Sequence, residues 1–181
     1  EGLSYEAVFE EARQLGYLEA DPNLDVGGID AGHKLSLLAS IAFGTKVSFD
    51  AVELEGIGKI SIDDITLAAD MGYRIKLLGI TKRTDAGVEL RVHPSLVPTQ
   101  RLIANVEGAM NAVMVNADAV GTTLYYGKGA GSEPTASAVI ADLIDIARLG
   151  QADVSCRVPY LAYQPSAIQD LPILSIEDIS T

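Results

Sequence analysis

Hydrophobic residues recur with the period of an amphipathic helix, about 3.6 residues, in four segments of the chain. Residues that begin and end helices flank these segments, such as Ser61 before the third helix and Gly44 after the second. The predicted helices span residues 5–15, 30–43, 62–71 and 135–149. In the last helix we expect an inward face that consists of Val139, Leu143, Ile146 and Ala147.

Alternation of apolar and polar residues predicts two β-hairpins. The first joins residues 73–81 to 88–92 through a turn at 84–87, and the second joins 111–115 to 120–126. The remaining segments are predicted to be a loop over 17–28, an extended stretch over 47–52, a short helix over 100–106 and an extended tail from Cys156. Helices combined with hairpins indicate an α+β fold with a mixed or antiparallel sheet layered against helices. No repeat or linker divides residues 1–181, so a single domain is expected.

The composition is that of a soluble globular protein with an acidic surface. Hydrophobic residues make up 48% of the 181 residues, and 13 Lys and Arg against 25 Asp and Glu give a net charge of −12. This charge argues against nucleic acid or an anionic membrane as a partner. No apolar run reaches the roughly 18 residues of a membrane span and no signal segment opens the chain, so a cytoplasmic location is expected. The start at Glu1 without methionine indicates a piece of a longer protein.

The segment from Tyr17 to Lys34 concentrates charged side chains where prolines and glycines restrict the backbone. If Asp30 opens the second helix, Lys34 lies one turn later on the same face. A carboxylate and an ammonium then point together toward an acidic loop, which suits a small zwitterionic ligand. The alternative interpretation is an ordinary surface pair in which Asp30 caps the helix. The acids of this segment are Glu19, Asp21, Asp25 and Asp30.

Histidine and cysteine add little to the candidate chemistry. The two histidines, His33 and His93, are too few for a histidine-rich metal site, and the carboxylates form no regular metal loop such as an EF-hand, so no metal site is predicted. His33, next to Lys34, is interpreted as structural in preference to an acid–base or metal-binding residue. The single cysteine, Cys156, excludes an internal disulfide and is expected to be a buried small residue.

A glycine-rich stretch leads from a predicted strand into the last helix and reads Gly127-Lys128-Gly129-Ala130-Gly131. Such a turn at a helix N-terminus brings backbone N–H groups close to a phosphate or a cofactor. The stretch does not match the P-loop pattern, and the same residues make a suitable hairpin exit and helix start. The structural and the ligand-facing interpretations both stay open on this pattern alone.

Together, the two segments resemble the homoserine dehydrogenase family. The matching motifs are Gly16-Tyr17-Leu18-Glu19-Ala20-Asp21-Pro22, then Asp25-Val26-x-Gly28-Ile29-Asp30-Ala31-x-His33-Lys34-Leu35, and the glycine-rich turn continued by Pro134-Thr135-Ala136-Ser137. The resemblance runs from Glu1 to about Tyr163, and the departure at Gly32 does not touch the reactive positions. It implies the substrate-binding and dimerisation region of a two-domain dehydrogenase, in which a nucleotide-binding Rossmann domain precedes this region.

The resemblance also implies a role for individual residues. Lys34 is implied as the general acid/base at the C4 oxygen of the substrate, with Asp30 helping to position it. The implied substrate-binding residues are Glu19, chiefly at the α-ammonium, with Asp25 and Tyr17. The implied cofactor-binding residues are Gly129, Ala130 and Gly131.

The implied reaction is the reversible oxidation of L-homoserine to L-aspartate 4-semialdehyde with NADP or NAD, on the route to threonine and methionine. The resemblance implies a homodimer, with the antiparallel hairpins as the expected dimer surface. The glycine turn and helix over 127–149 are expected to pack toward the nucleotide-binding domain. Since that domain holds most of the cofactor, the chain alone is expected to be inactive or nearly so. The rival hypothesis is a catalytically silent amino-acid-binding or dimerisation module on the same fold.

Overall fold

The structure is a computed structural model that describes residues 5–15, 21–151 and 162–179. Its helices are α1 (Tyr5–Gln14), α2 (Pro22–Val26), α3 (Ile29–Phe43), α4 (Ile62–Asp70) and α5 (Ser132–Gln151). Its strands are β1 (Glu53–Leu54), β2 (Tyr73–Arg83), β3 (Val88–Pro98), β4 (Met110–Ala117) and β5 (Gly121–Lys128). Helices with small mixed and antiparallel sheets confirm the predicted α+β class.

The chain separates into two compact units, with the division near the end of β3. In the described residues, the first unit comprises 21–96 and 162–179, and the second comprises 5–15 and 97–151. The first unit therefore contains α2, α3, α4, the sheet β1-β3-β2 and the tail. The second contains α1, the hairpin β4–β5 and α5. The expectation of a single domain stays a prediction.

The core of the first unit lies between α3 and β3. Val88, Leu90 and Val92 are fully buried at alternate positions of β3, because successive side chains of a strand point to opposite faces. They belong to one cluster with Leu35 and Ala39 of α3. Each large apolar side chain buried in this way contributes about 1.5–3 kcal/mol, so this contact fixes α3 on the sheet.

The sheet of the first unit has the strand order β1-β3-β2. The short strand β1 runs parallel to β3, with Glu53 opposite Arg91. A turn over residues 84–87 joins β2 to β3, and the Thr84 N–H donates to the Gly87 carbonyl at 2.8 Å. The predicted first hairpin is therefore confirmed, with both strands longer than expected.

The tail joins the same sheet at the start of β3. The Val88 N–H donates to the Pro172 carbonyl at 2.9 Å, and the Leu174 N–H donates to the Val88 carbonyl at 3.0 Å. At the C-terminal end of α3, the Tyr163 hydroxyl donates to the Ala42 carbonyl at 3.1 Å. The described tail packs onto the body of the first unit, as predicted, through isolated bridges at Gln169 and Ile173. It contains 3-10 turns at Pro165–Ala167 and Ile176–Asp178.

Three of the predicted segments are wrong in part. The loop over 17–28 contains the helix α2, which begins because the Asp21 carboxylate accepts the Asn23 N–H at 3.0 Å and Pro22 occupies the first turn; residues 17–20 lie outside the described part. The extended stretch over 47–52 contains a 3-10 turn, and the helix over 100–106 is also 3-10. The 3-10 segments are Phe49–Ala51 and Leu102–Asn105.

Helix α4 begins where the sequence predicts, because Ser61 forms a capping box with Asp64. The Ser61 hydroxyl accepts the Asp64 N–H at 3.1 Å, and the Asp64 carboxylate accepts the Ser61 N–H at 2.8 Å. The Ser61 hydroxyl also donates to Asp64 Oδ2 at 2.7 Å, and this bond, together with the one from the Ser61 N–H, holds the pKa of the Asp64 carboxyl below its usual value. The cap orients α4 where it packs on β2.

The second unit contains an antiparallel hairpin and the long helix α5. The pairing runs from Met110 opposite Lys128 to Ala117 opposite Gly121, which confirms the second predicted hairpin. The predicted inward face of α5 is wrong for the described chain, because no residue of α5 is buried and Val139, Leu143 and Ile146 are each more than half exposed. None of the described helices is both long and apolar enough to cross a bilayer.

A buried carboxylate on β3 escaped the sequence analysis. The Glu89 side chain is 4% exposed, and its Oε2 lies 3.6 Å from Nη1 of Arg91. Its Oε1 lies 4.0 Å from Nζ of Lys82, whose side chain is 64% exposed. A buried charge needs a partner in the interior, so Arg91 is the group that makes Glu89 tolerable at this position.

We expect Arg91→Leu to lower the free energy of unfolding by roughly 3 kcal/mol, because among the described residues it leaves the buried Glu89 carboxylate with only the exposed Lys82 as a nearby cation. Urea unfolding followed by circular dichroism measures the change. Lys82→Leu is the control and should alter stability much less, since its ammonium is exposed and more distant. Equal effects of the two substitutions would contradict this assignment.

Candidate active site

The predicted reactive residues, Asp30 and Lys34, lie on α3 just after the corner where α2 meets α3. Gly28 precedes α3 with φ 76°, in the left-handed region where glycine is favoured, and its carbonyl accepts the Gly32 N–H at 2.9 Å. Helix α3 therefore begins at Ile29, and Asp30 lies inside its first turn. The interpretation of Asp30 as the capping residue is wrong, because Gly28 occupies that position and supplies no side chain.

Asp30 and Lys34 form the ion pair that their spacing predicts. Lys34 Nζ donates to Asp30 Oδ2 at 2.6 Å, and the side chains are 68% and 38% exposed, respectively. An exposed pair at this spacing contributes only about 0.3–0.5 kcal/mol to stability. The carboxylate in the first turn is favoured by the positive end of the helix dipole. The pair thus presents an oriented ammonium to solvent or to a bound molecule.

Of the three predicted substrate-binding residues, the described part of the chain contains Asp25. Asp25 is half-buried on α2, and Val26 separates it from the two glycines that lead into α3. Tyr17 and Glu19 lie outside the described residues, as does Cys156. Within the described chain, Asp25 and the Asp30–Lys34 pair therefore lie on adjacent helices of one unit.

Aromatic packing beside Lys34 is a feature that the sequence analysis missed. The His33 ring stacks on the Phe49 ring with the centroids 3.9 Å apart and an interplanar angle of 16°. A Cβ at Gly32 would lie 3.0 Å from Phe49 Cε2 and 2.9 Å from Leu54 Cδ2, so these side chains occupy the space that the glycine leaves. The stacking agrees with a structural role for His33. The signal in the sequence is weak, because Phe49 is 16 residues away along the chain.

The glycine-rich turn lies in the second unit and leaves its backbone accessible. Gly131 has φ 117°, and its carbonyl accepts the Thr135 N–H at 3.1 Å as α5 begins. A Cβ at Gly127 would meet nothing within 4 Å, whereas one at Gly129 would collide with the Asn111 amide. A glycine-rich helix N-terminus of this kind can bring backbone N–H groups close to an anionic group.

Other described regions offer less chemistry. No three acidic, histidine or cysteine side chains in the described ranges lie close enough together to hold a metal ion. An open cavity of about 480 Å³ lies past the C-terminal end of α3 and is lined by Lys46, Pro165, Ile168, Gln169 and Asp170. The Asp30–Lys34 pair does not line this cavity.

We expect Gly28→Ala to destabilise the protein by about 1–2 kcal/mol, because an L-residue is strained at φ 76° and the new Cβ would lie 3.0 Å from Val92 Cγ1. Urea unfolding measures this loss. Gly58→Ala is the matched control, since its Cβ would make one ordinary contact at 3.7 Å with Val26. An unfolding midpoint for Gly28→Ala at or above that of the unsubstituted protein would argue against a strained glycine at this corner.

Comparison with known proteins identifies similar chains over nearly the whole sequence. The family model described as homoserine dehydrogenase matches residues 1–144. Homoserine dehydrogenase of Neisseria gonorrhoeae is 57% identical over 180 residues, and that of Pseudomonas aeruginosa is 60% identical over 176 residues. These matches cover 99% and 97% of this chain but 41% of each relative. The chain therefore spans about two fifths of the length of these relatives.

Solved structures show the same similarity in three dimensions. A homoserine dehydrogenase from Thiobacillus denitrificans superposes with a TM-score of 0.90 at 57% identity, covering 99% of this chain and 42% of the other. A hyperthermophilic archaeal homoserine dehydrogenase mutant, solved in complex with NADPH, superposes with a TM-score of 0.61 at 27% identity. That match covers 84% of this chain and 43% of the archaeal chain.

Proposed function

The chain belongs to the homoserine dehydrogenase family, and we propose that it supplies the substrate-binding and catalytic residues of such an enzyme. The proposed reaction is the interconversion of L-homoserine and L-aspartate 4-semialdehyde with NADP or NAD, in the biosynthesis of threonine and methionine. The observation that carries this proposal is the Asp30–Lys34 pair, in which a lysine ammonium is held at 2.6 Å from a carboxylate on an accessible helix turn. Membership of a dehydrogenase family, together with this ion pair, favours a catalytic role over a catalytically silent module.

Lys34 acts as the general acid when the aldehyde is reduced. The bound nicotinamide cofactor supplies the hydride. As negative charge develops on the C4 oxygen, the Lys34 ammonium stabilises it and donates a proton to it. In the oxidation direction, neutral Lys34 accepts the proton of the hydroxyl group. Asp30 accepts a hydrogen bond from Nζ and so limits the rotamers of the long lysine side chain.

The acidic segment before α3 recognises the amino-acid part of the substrate. Asp25 lies on α2, next to the corner that carries Asp30. Glu19 and Tyr17 precede α2 in the sequence and complete the proposed substrate-binding set. Carboxylates are suited to the α-ammonium of homoserine, because charge-assisted hydrogen bonds are roughly twice as strong as neutral ones. Glu19 is assigned the main contact with that group.

The glycine-rich turn contributes to cofactor binding. Gly129, Ala130 and Gly131 are the proposed contact residues, and the accessible backbone at Gly127 and Gly131 supports a close approach. Most of the cofactor is bound outside this chain, by a nucleotide-binding domain. The chain alone is accordingly proposed to be inactive or nearly so.

The exposed apolar surfaces of the second unit are proposed to be covered in the complete enzyme. The apolar side chains of α5 are suited to contact with the nucleotide-binding domain, so residues 127–149 are assigned to that interface. Homodimerisation is assigned to the hairpins, of which β4–β5 exposes Val113, Met114, Val115, Tyr125 and Tyr126. The enzyme is proposed to be a cytoplasmic homodimer.

We expect Lys34→Ala to lower kcat by about 10²-fold or more in the complete gene product that contains this chain, since a positioned general acid typically contributes 10²–10⁴-fold. NAD(P)H oxidation with L-aspartate 4-semialdehyde measures the effect. Lys46→Ala is the control, because Lys46 is an exposed lysine beyond the other end of α3. A Lys34→Ala enzyme within threefold of the unsubstituted enzyme would refute the assigned role.

We expect Glu19→Gln to raise KM for L-homoserine with a smaller change in kcat, because the substitution removes the negative charge that faces the α-ammonium. Steady-state kinetics in the oxidation direction provide the test, and KM for the nicotinamide cofactor serves as the internal control. If KM for homoserine is unchanged, Glu19 does not bind the ammonium.

A further inference from the structure

We propose that His33 is a positioning residue, whose ring fixes the rotation of α3 and thereby the position of Lys34 by stacking on Phe49. This inference rests on the proposed function. The His33 and Phe49 rings are nearly parallel, with centroids 3.9 Å apart. The next residue along α3 from His33 is Lys34, so the stack and the proposed general acid share one helical turn.

Phe49 supports the helix on the side away from Lys34. Successive residues of a helix are about 100° apart, so His33 and Gly32 lie about 100° and 200° around the axis from Lys34. Phe49 touches both positions: it stacks on the His33 ring and occupies the space beside Gly32, where a Cβ would be 3.0 Å from Cε2. A ring in contact with two successive positions resists rotation in either direction.

The core contacts of α3 lie on a different side of the helix from the stack. Ala31, Leu35 and Ala39 pack on the core cluster, and His33 lies about 200° around the helix axis from Ala31 and from Leu35. The contact with Phe49 therefore adds a second point of support on the other side of α3. A rotation of about 10° moves an atom 6 Å from the helix axis by roughly 1 Å. A misplacement of that size can cost about 10²-fold in rate. The stack therefore controls a displacement to which the proton transfer is sensitive.

The role assigned to His33 depends on an aromatic ring and not on its nitrogens. His33 is exposed, so substitutions there leave the core intact, and His33→Phe keeps a ring that can stack on Phe49. His33→Leu keeps an apolar side chain of comparable bulk but removes the stack. Comparison of these two variants separates stacking from any proton transfer by the imidazole.

The test uses the complete gene product with His33→Leu, His33→Phe and Lys46→Ala as the control. We expect His33→Leu to lower kcat for the semialdehyde about tenfold with KM nearly unchanged, and His33→Phe to restore kcat with the same pH profile as the unsubstituted enzyme. Phe49→Leu should reproduce the loss caused by His33→Leu. Thermal unfolding of each variant shows whether it is folded at the assay temperature.

The other outcomes separate this inference from the proposed function. An active unsubstituted enzyme whose His33→Leu variant keeps full kcat overturns the positioning role alone. The role also fails if His33→Phe is as slow as His33→Leu, or if His33→Phe removes one limb of the pH profile, because the imidazole nitrogens then matter. If the unsubstituted enzyme shows no homoserine-dependent reduction of NAD(P), the proposed function is wrong and this inference falls with it.

Discussion

The packing of α3 on the sheet β1-β3-β2 is the contact on which the rest of the first unit depends. Val88, Leu90 and Val92 form a fully buried row, and Leu35 and Ala39 lie against it. Because this contact also includes Ala31 in the first turn, one side of the first turns is fixed on the core while His33 and Lys34 stay exposed and accessible to a ligand. The apolar half of α3 thus supplies the rigidity, and the polar N-terminal turns carry the chemistry. A functional pair on a packed helix is placed more precisely than one on a loop.

The sequence predicts the Asp30–Lys34 pair but not the way in which its helix begins. Spacing alone places two residues four apart on one face, and the structure confirms the contact. The start of α3 depends on the left-handed conformation of Gly28, which no side-chain pattern reveals. The five-residue helix α2 is likewise too short to produce a hydrophobic period. Its start depends on Asp21 and Pro22, which are equally common in turns.

Burial and contacts that the tertiary fold decides are the second class of features that escaped prediction. Glu89 alternates with apolar residues, a pattern typical of an exposed position, yet its side chain is only 4% exposed. The stack of His33 on Phe49 depends on how the chain returns to α3 after Gly44. For α5 the amphipathic period predicted a helix correctly and its buried face wrongly. A hydrophobic stripe indicates that a face is suited to burial, but it does not say which surface covers it.

The tail gives the first unit a particular order of assembly during synthesis. Residues 162–179 pair with Val88 and bind the end of α3, although residues 97–151 of the second unit lie between these segments in the sequence. At about 5–20 residues per second, the tail leaves the ribosome roughly 3–13 s after β3. For that interval one edge of β3 has no partner from the tail. Residues 97–151 are thus synthesised before the tail can bind the first unit. The rate of translation therefore sets how long the backbone of Val88 lacks its hydrogen bonds to Pro172 and Leu174.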